Sequence, residues 1–179
     1  MSVKRTSKYL SYILRHQPGK VGLTLDAGGW VSIKTLLEKT PSWLTQEALD
    51  EAVVTNAKQR FAVKDGLIRA SQGHSVPVDL GLKPVPPPEV LYHGTYHKVV
   101  GSIRQKGLLK MNRHAVHLAS ETTTAETVGR RSGTPVLFKV LAQAMHKDGY
   151  AFFVSDNGVW LTNHVPPQYL EQISNPRTS

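Results

Sequence analysis

The 179-residue chain contains no cysteine, few acidic residues and no long apolar run. Without cysteine there is no disulfide, thiolate nucleophile, cysteine-ligated zinc or iron–sulfur cluster. Any catalysis must therefore use oxygen or nitrogen groups. No apolar run approaches the roughly 18 to 20 residues that a bilayer span requires, and the first residues lack the uninterrupted apolar segment of a signal peptide. We expect a soluble, cytoplasmic protein.

Acidic residues are outnumbered by basic ones, 13 against 22, which gives a formal charge of +9. Such a balance favours a polyanionic partner, either a nucleic acid or an anionic membrane surface. The sequence also lacks G-x-G-x-x-G, the phosphate-binding P-loop pattern and H-E-x-x-H. Zinc-dependent hydrolysis is therefore not expected, and any nucleotide site must be built in another way.

The clearest change of composition lies at residues 75–89, S-V-P-V-D-L-G-L-K-P-V-P-P-P-E, which contain five of the eleven prolines. Proline fixes φ and removes a backbone donor, so this stretch should be extended and semi-rigid. We predict two domains, residues 1–74 and 90–179, joined by this linker.

The first lobe shows helical patterns followed by a strong hairpin signal. We predict three helices: one capped by Ser7, one over 33–39 capped by Ser32, and one over 45–57. We predict strands at 60–64 and 67–70. Asp65-Gly66 between the two strands suits the positive φ angles of a two-residue turn. Three helices followed by a hairpin is the order of a winged-helix module.

The second lobe alternates short strands with short helices. We predict strands at 90–93, 115–119, 135–140, 150–154 and 159–162, helices at 96–106 and 122–130, and a frayed end at 175–179. This order favours an α+β fold with a substantial mixed or antiparallel sheet.

Two places in the first lobe could bind an anion. Arg15-His16 stands at the end of the first helix, where a fixed guanidinium donor adjoins an imidazole that can carry a proton. Arg69 is followed by the small, polar segment Ser71-Gln72-Gly73-His74, which could approach a ligand closely. Each place also has an ordinary structural explanation, as helix-end charge or as a surface cation on a strand.

Candidate residues in the second lobe lie on two predicted strands and at the end of one predicted helix. His93 precedes Gly94 and Thr95, so that backbone and side chain can meet a ligand together, and His117 lies in the otherwise apolar strand before Ser120. His117 could equally be a buried core residue. Arg130-Arg131 could be a ligand contact or simple helix-end charge.

Taken in order, eight segments of this chain resemble the RNA 2′-phosphotransferase family of the KptA type. They are S-K-Y-L-S-Y-I-L-R-H, G-L-T-L-D-A-G-G-W-V, K-Q-R-F-A-V, I-R-A-S-Q-G-H-S, L-Y-H-G-T, H-A-V-H-L-A-S, V-G-R-R-S-G-T-P-V and D-N-G-V-W-L-T. The resemblance runs from Ser7 to about Tyr169. This sequence departs from the family's commonest motifs in the segments A-S-Q-G-H-S, H-L-A-S and R-R-S-G.

The resemblance implies a winged-helix RNA-binding lobe and an NAD-binding lobe similar to ADP-ribosyltransferases. It also implies an Arg-His-Arg-Arg catalytic set, which motif matching places at Arg15, His16, Arg69 and Arg131. Arg131 rather than Arg130 is assigned by its distance from Gly133. A His-His-hydrophobic set for NAD matches His93, His117 and Val159, with Gly94, Thr95 and Ser120 as further cofactor-binding residues.

The implied reaction removes an internal 2′-phosphate from RNA, and NAD is consumed as co-substrate without a metal. The 2′-phosphate attacks NAD, nicotinamide leaves, and a 2′-phospho-ADP-ribosylated RNA forms. The products are 2′-hydroxyl RNA and ADP-ribose 1″,2″-cyclic phosphate. The family is linked to tRNA splicing, and we expect a monomer whose partners are RNA and NAD, without a membrane partner. Two alternatives stay open: a nucleic-acid-binding NAD sensor, and an ADP-ribosyltransferase acting on terminal phosphates.

Overall fold

The computed structural model describes residues 2–173 and divides between Leu82 and Lys83 into two compact units. The division falls inside the proline-rich segment 75–89. Each unit has its own cluster of buried apolar side chains. Within residues 2–173, none of the helices combines the length and the apolar character that crossing a bilayer demands.

The first unit contains three α-helices and a small sheet. The helices are α1 (Val3–Arg15), α2 (Ile33–Lys39) and α3 (Gln46–Val54), and the strands are β1 (Val31–Ser32), β2 (Phe61–Lys64) and β3 (Leu67–Ala70). A short 3₁₀ turn, Pro18–Val21, follows α1. The three strands form one antiparallel sheet in the order β1-β3-β2.

Helix α1 packs its apolar face into the core of this unit. Leu10, Ile13 and Leu14 are almost completely buried, because apolar residues three and four positions apart lie on one side of a helix. The helix ends at Arg15, just before Gln17-Pro18, because the residue before a proline is driven out of the helical region.

The prediction that Ser7 caps α1 is wrong. The helix begins at Val3, with Ser2 in the capping position, so Ser7 lies inside the helix. Its side chain is buried, and its hydroxyl accepts a hydrogen bond from Asn56 Nδ2 at 3.4 Å. The basic residues before Tyr9 thus extend the helix by more than one turn.

The predicted cap Ser32 is confirmed, and Thr45, predicted as the first residue of the third helix, is the cap of α3. Ser32 Oγ accepts a hydrogen bond from the Thr35 N–H at 3.4 Å, and Thr45 Oγ1 accepts one from the Ala48 N–H at 3.2 Å. These side chains satisfy backbone donors that have no partner inside the helix.

Helix α3 is shorter than the predicted range of residues 45–57, because Asn56 starts a turn. Its carbonyl accepts from the Gln59 N–H at 2.7 Å, and its side-chain oxygen accepts from the Lys58 N–H at 3.1 Å. An asparagine that bonds to the backbone two residues later offers the chain an alternative to helix. The helix therefore ends at Val54.

The predicted hairpin is present. Strands β2 and β3 pair with Phe61 opposite Ala70 and Lys64 opposite Leu67. Asp65 and Gly66 between them both have positive φ, 50° and 74°, as a two-residue turn of this kind requires.

The second unit contains three α-helices and eight strands in its described part. The helices are α4 (Val100–Lys106), α5 (Thr122–Gly129) and α6 (Ala142–Lys147). The strands are β4 (Leu91–Tyr96), β5 (Leu108–Leu109), β6 (Val116–Leu118), β7 (Pro135–Val140), β8 (Phe152–Val154), β9 (Trp160–Thr162), β10 (His164–Val165) and β11 (Leu170–Ile173).

These strands form small antiparallel sheets rather than one large sheet. The orders are β11-β7-β4, β6-β9-β8 and β10-β5. Tyr92 of β4 and Ala119 exchange two backbone hydrogen bonds of 2.8 Å, which join the first two sheets at one point. Helix α5 covers β4 at Gly94, where a Cβ atom would overlap the carbonyl of Ala125. Both units together give an α+β fold.

Several predicted elements of the second unit differ from the structure. The predicted helix 96–106 begins later, since β4 continues through Tyr96 and a 3₁₀ turn, His97–Val99, precedes α4. Helix α6 and strands β5, β10 and β11 were not predicted, because each is short and lacks a clear apolar period. The predicted fraying of residues 175–179 lies outside the described residues.

Candidate active site

Arg15 and His16 lie where α1 meets the segment that follows β3. The Arg15 carbonyl accepts hydrogen bonds from the backbone N–H groups of Ser75 and Val76, at 2.8 and 3.4 Å. His16 Nδ1 lies 2.9 Å from Ser75 Oγ. These contacts span about sixty positions in the chain. They attach the end of α1 to a segment only six residues beyond Arg69.

Arg69 is half-buried in β3 and is held by the loop before β1. Its Nη1 donates a hydrogen bond to the Gly28 carbonyl at 3.3 Å. Its guanidinium carbon lies 4.6 Å from the centroid of the Trp30 ring, within the range of a cation–π interaction. Because β3 also packs against α1, Arg15, His16 and Arg69 share one region of the first unit.

The loop that carries Gly28 and Trp30 is closely packed against residues after Arg69. The Asp79 N–H donates to the Ala27 carbonyl at 2.8 Å. Gly29 has a φ of 81°, and a Cβ added there would lie 2.9 Å from Val78 Cγ1 and 3.4 Å from His74 Nε2. Both the backbone angle and this close approach require glycine.

The polar atoms of this region are shielded from water. Arg15 Nε and Nη2, Arg69 Nε and His74 Nε2 each have less than 1 Å² of exposed surface. Positive charge acts more strongly on an anion where water is excluded. The partly buried guanidinium groups of Arg15 and Arg69, with the exposed imidazole of His16 beside Arg15, supply the kinds of donor that bind a phosphate.

Sequence reasoning did not select Gly28 or Trp30 as site residues. The signal was available as a tryptophan directly after two glycines, G-G-W. What the sequence could not show is that Trp30, in the loop before β1, lies beside Arg69 of β3, 39 positions later.

His93 and His117 lie together in the second unit, on β4 and β6. His93 Nδ1 is 3.1 Å from the backbone carbonyl of His117. Burial lowers the pKa of His93; the hydrogen bond to His117 opposes this effect, and the positive charge of Arg113 adds to it. His93 is therefore a neutral imidazole at pH 7.

Two other predicted cofactor residues lie next to the strand that carries His117 or to its partner strand. Val159 directly precedes β9 and stands two positions before Leu161, the register partner of His117. Its N–H donates to Ser155 Oγ at 3.2 Å, which closes the turn before β9. Ser120 is exposed and immediately follows Ala119, which pairs with β4.

Gly94 and Thr95 have structural roles in β4. The space where Gly94 would carry a side chain is filled by the backbone of α5, and Thr95 is buried, with its carbonyl only 2.5 Å from where a Cβ of Gly129 would lie. Close packing of α5 on β4 thus accounts for the glycines at positions 94 and 129. Whether NAD contacts Gly94 or Thr95 stays a prediction.

The two neighbouring arginines after α5 have different surroundings. Arg130 Nη2 donates to Glu126 Oε1 at 2.6 Å, in an ion pair whose glutamate side chain is only 11% exposed. Arg131 is exposed at the end of the same turn. Arg130 is therefore explained by its ion pair, while Arg131 presents its guanidinium to solvent.

Comparison with known protein families identifies the chain. The family model described as RNA 2′-phosphotransferase, Tpt1 / KptA family, matches residues 2–164. The chain belongs to this family. The match includes every residue that the sequence analysis assigned to a site, from Arg15 to Val159.

Relatives within the Tpt1 / KptA family are similar over nearly their whole length. A protein of Nostoc punctiforme is 52% identical over 174 residues, covering 94% of this chain and 96% of its own. A protein of Streptomyces coelicolor is 53% identical over 169 residues, covering 93% of each chain. Both are named probable RNA 2′-phosphotransferase.

Proposed function

We propose that this protein is an NAD-dependent RNA 2′-phosphotransferase. In this proposal the first unit is a winged-helix RNA-binding module and the second is an ADP-ribosyltransferase-like NAD-binding module. The observation that carries the proposal is the placement of Arg15 and His16 at the end of α1, bonded to the segment that follows Arg69, in a chain that belongs to the Tpt1 / KptA family. Helix α1 contains no acidic residue, which suits an RNA partner.

The first step joins the RNA phosphate to NAD. An oxygen of the 2′-phosphate attacks the anomeric carbon of the nicotinamide ribose, the bond from that carbon to the nicotinamide nitrogen breaks, and neutral nicotinamide leaves. His93 and His117 bind the NAD ribose in this proposal. The phosphate is already an anionic nucleophile, so a carboxylate base is unnecessary and its charge would repel the phosphate. Val159 is uncharged, so it suits the third position of the His-His-hydrophobic set.

The second step releases the RNA. The ribose 2″-hydroxyl attacks phosphorus and releases its proton to water, the bond from phosphorus to the RNA 2′-oxygen breaks, and that oxygen takes a proton. The products are 2′-hydroxyl RNA and ADP-ribose 1″,2″-cyclic phosphate. Arg15, Arg69 and Arg131 bind the phosphate oxygens and stabilise their charge without a metal. His16 donates the proton to the departing oxygen. The ion pair of Arg130 with Glu126 favours Arg131 as the fourth member.

Nicotinamide release tests this proposal. The protein is incubated with NAD and one of three short RNAs of the same sequence: with an internal 2′-phosphate, with a 2′-hydroxyl at that position, or with a terminal phosphate only. We expect rapid release of nicotinamide only with the RNA that carries the internal 2′-phosphate. Binding of NAD without release would indicate a sensor, and release with the terminal phosphate alone would indicate a terminal ADP-ribosyltransferase.

His16→Ala is expected to accumulate the ADP-ribosylated RNA. Loss of a general acid costs on the order of 10²- to 10⁴-fold in the step that needs it, and the first step needs none. Gel analysis of a single turnover measures the intermediate. His97→Ala, which removes an exposed imidazole from the second unit, is the matched control and should leave the reaction unchanged. A slow His16→Ala enzyme without accumulation would instead place His16 in the first step.

A further inference from the structure

Arg113 contacts one ring nitrogen of His117. Arg113 Nη1 lies 3.0 Å from His117 Nδ1. A guanidinium has only donors, so Nδ1 must accept with its lone pair. The proton of the neutral His117 ring is therefore on Nε2, which makes that nitrogen a donor.

His93 has the opposite arrangement. Its Nδ1 lies 3.1 Å from the His117 carbonyl oxygen, and a carbonyl only accepts. The proton of His93 is therefore on Nδ1, and its Nε2 carries a lone pair. Burial and the nearby charge of Arg113 both lower the pKa of His93 and keep it in this neutral form.

The turn that presents Arg113 is defined by local backbone geometry. The Arg113 N–H donates to the Lys110 carbonyl at 3.0 Å, and Met111 has a φ of 52°. This turn lies just before β6, so Arg113 stands four residues before His117 of that strand. The guanidinium is exposed, so its contact with His117 is not explained by core packing.

We propose that Arg113 is a positioning residue that fixes His117 as an Nε2–H donor, next to His93 as an Nε2 acceptor. This inference rests on the proposed function, in which the two histidines bind the NAD ribose. Two neighbouring ribose hydroxyls can accept one hydrogen bond and donate another, so a pair with one donor and one acceptor matches them. A His117 ring in the Nδ1–H form would present no donor at Nε2, and its Nδ1–H would face the Arg113 guanidinium, two donors without an acceptor.

Nitrogen-15 NMR of the histidine rings tests the inference without NAD or RNA. We expect His117 in the Nε2–H form and His93 in the Nδ1–H form. In Arg113→Met, which removes the donor, we expect His117 to shift toward the Nδ1–H form, and in Arg113→Lys, which keeps a donor, we expect it to stay. Arg104→Met, which removes an exposed arginine bonded to Gln172, should change neither ring.

The dissociation constant for NAD is the second measurement. We expect Arg113→Met to weaken NAD binding on the order of 10-fold, with most of the affinity restored in Arg113→Lys and no change in Arg104→Met. An Nδ1–H form of His117 in the native protein, or an unchanged tautomer in Arg113→Met, would overturn the inference. If the protein binds no NAD, the proposed function fails, while the tautomer measurement still decides the role of Arg113.

Discussion

Replacing Arg131 by alanine is expected to slow removal of a 2′-phosphate on the order of 10²-fold or more. A guanidinium that contacts the reacting phosphate stabilises charge that develops in the transition state, and the loss of one such donor has an effect of this size. Because the exposed Arg131 side chain supports no core packing, stability should be unaffected. Single-turnover rates with saturating NAD measure the effect on chemistry directly.

Arg130→Ala is the matched control, because it removes the same group one position earlier. Arg130 is bonded to Glu126, so we expect a small loss of stability and a normal rate per folded molecule. Should Arg130→Ala be the slow variant and Arg131→Ala the normal one, the assignment of the fourth catalytic residue would be reversed. Normal rates in both would remove this segment from the phosphate site.

Gly94→Ala is expected to destabilise the second unit by about 3 kcal/mol or more. The added methyl group would overlap the backbone carbonyl of Ala125, and backbone cannot move aside as a flexible side chain can. Gly94 does not have a positive φ, so the effect comes from packing of α5 on β4 rather than from backbone strain. Thermal unfolding followed by circular dichroism measures it.

Gly101→Ala provides the control for this prediction. Gly101 lies in α4, and a Cβ added there meets no atom within 4 Å. Alanine favours helix over glycine by about 0.5 to 1 kcal/mol, so this variant should be slightly more stable. A fully stable Gly94→Ala protein that has lost only its NAD binding would show that Gly94 serves the ligand and not the packing.

Local signals in the sequence were sufficient for much of the first unit. Ser32 and Thr45 cap their helices, and Asp65-Gly66 forms the hairpin turn, because each depends on residues within four positions. Ser7 does not cap α1, because the helix begins at Val3; its hydroxyl is instead bonded to Asn56, 49 positions away. A contact at that distance leaves no trace in the local pattern.

The short strands of the second unit illustrate the same limit. Strand β5 has two residues and pairs with His164 and Val165, far along the chain. Strand β11 reads L-E-Q-I, which has no alternation of apolar and polar residues. Pairing partners and not local propensity make these segments strands.

The candidate site was predictable only where family resemblance supplied the residues. Composition and spacing left Arg15, Arg69 and His117 open to ordinary structural explanations. The structure adds contacts that no spacing indicates: Ser75 with His16, Trp30 with Arg69, and Arg113 with His117. Of these contacts, only that of Arg113 with His117 joins residues that are close in sequence. The protonation that it implies for His117 depends on which ring nitrogen faces the guanidinium.

The fate of the phosphate tests the proposed function most directly. A short RNA with a radiolabelled internal 2′-phosphate is incubated with the protein and NAD, and the labelled product and nicotinamide are quantified. We expect the label in ADP-ribose 1″,2″-cyclic phosphate, one mole for each mole of nicotinamide, and none without NAD. Label released as inorganic phosphate in the absence of NAD, or nicotinamide released while the label stays on the RNA, would contradict the proposed function.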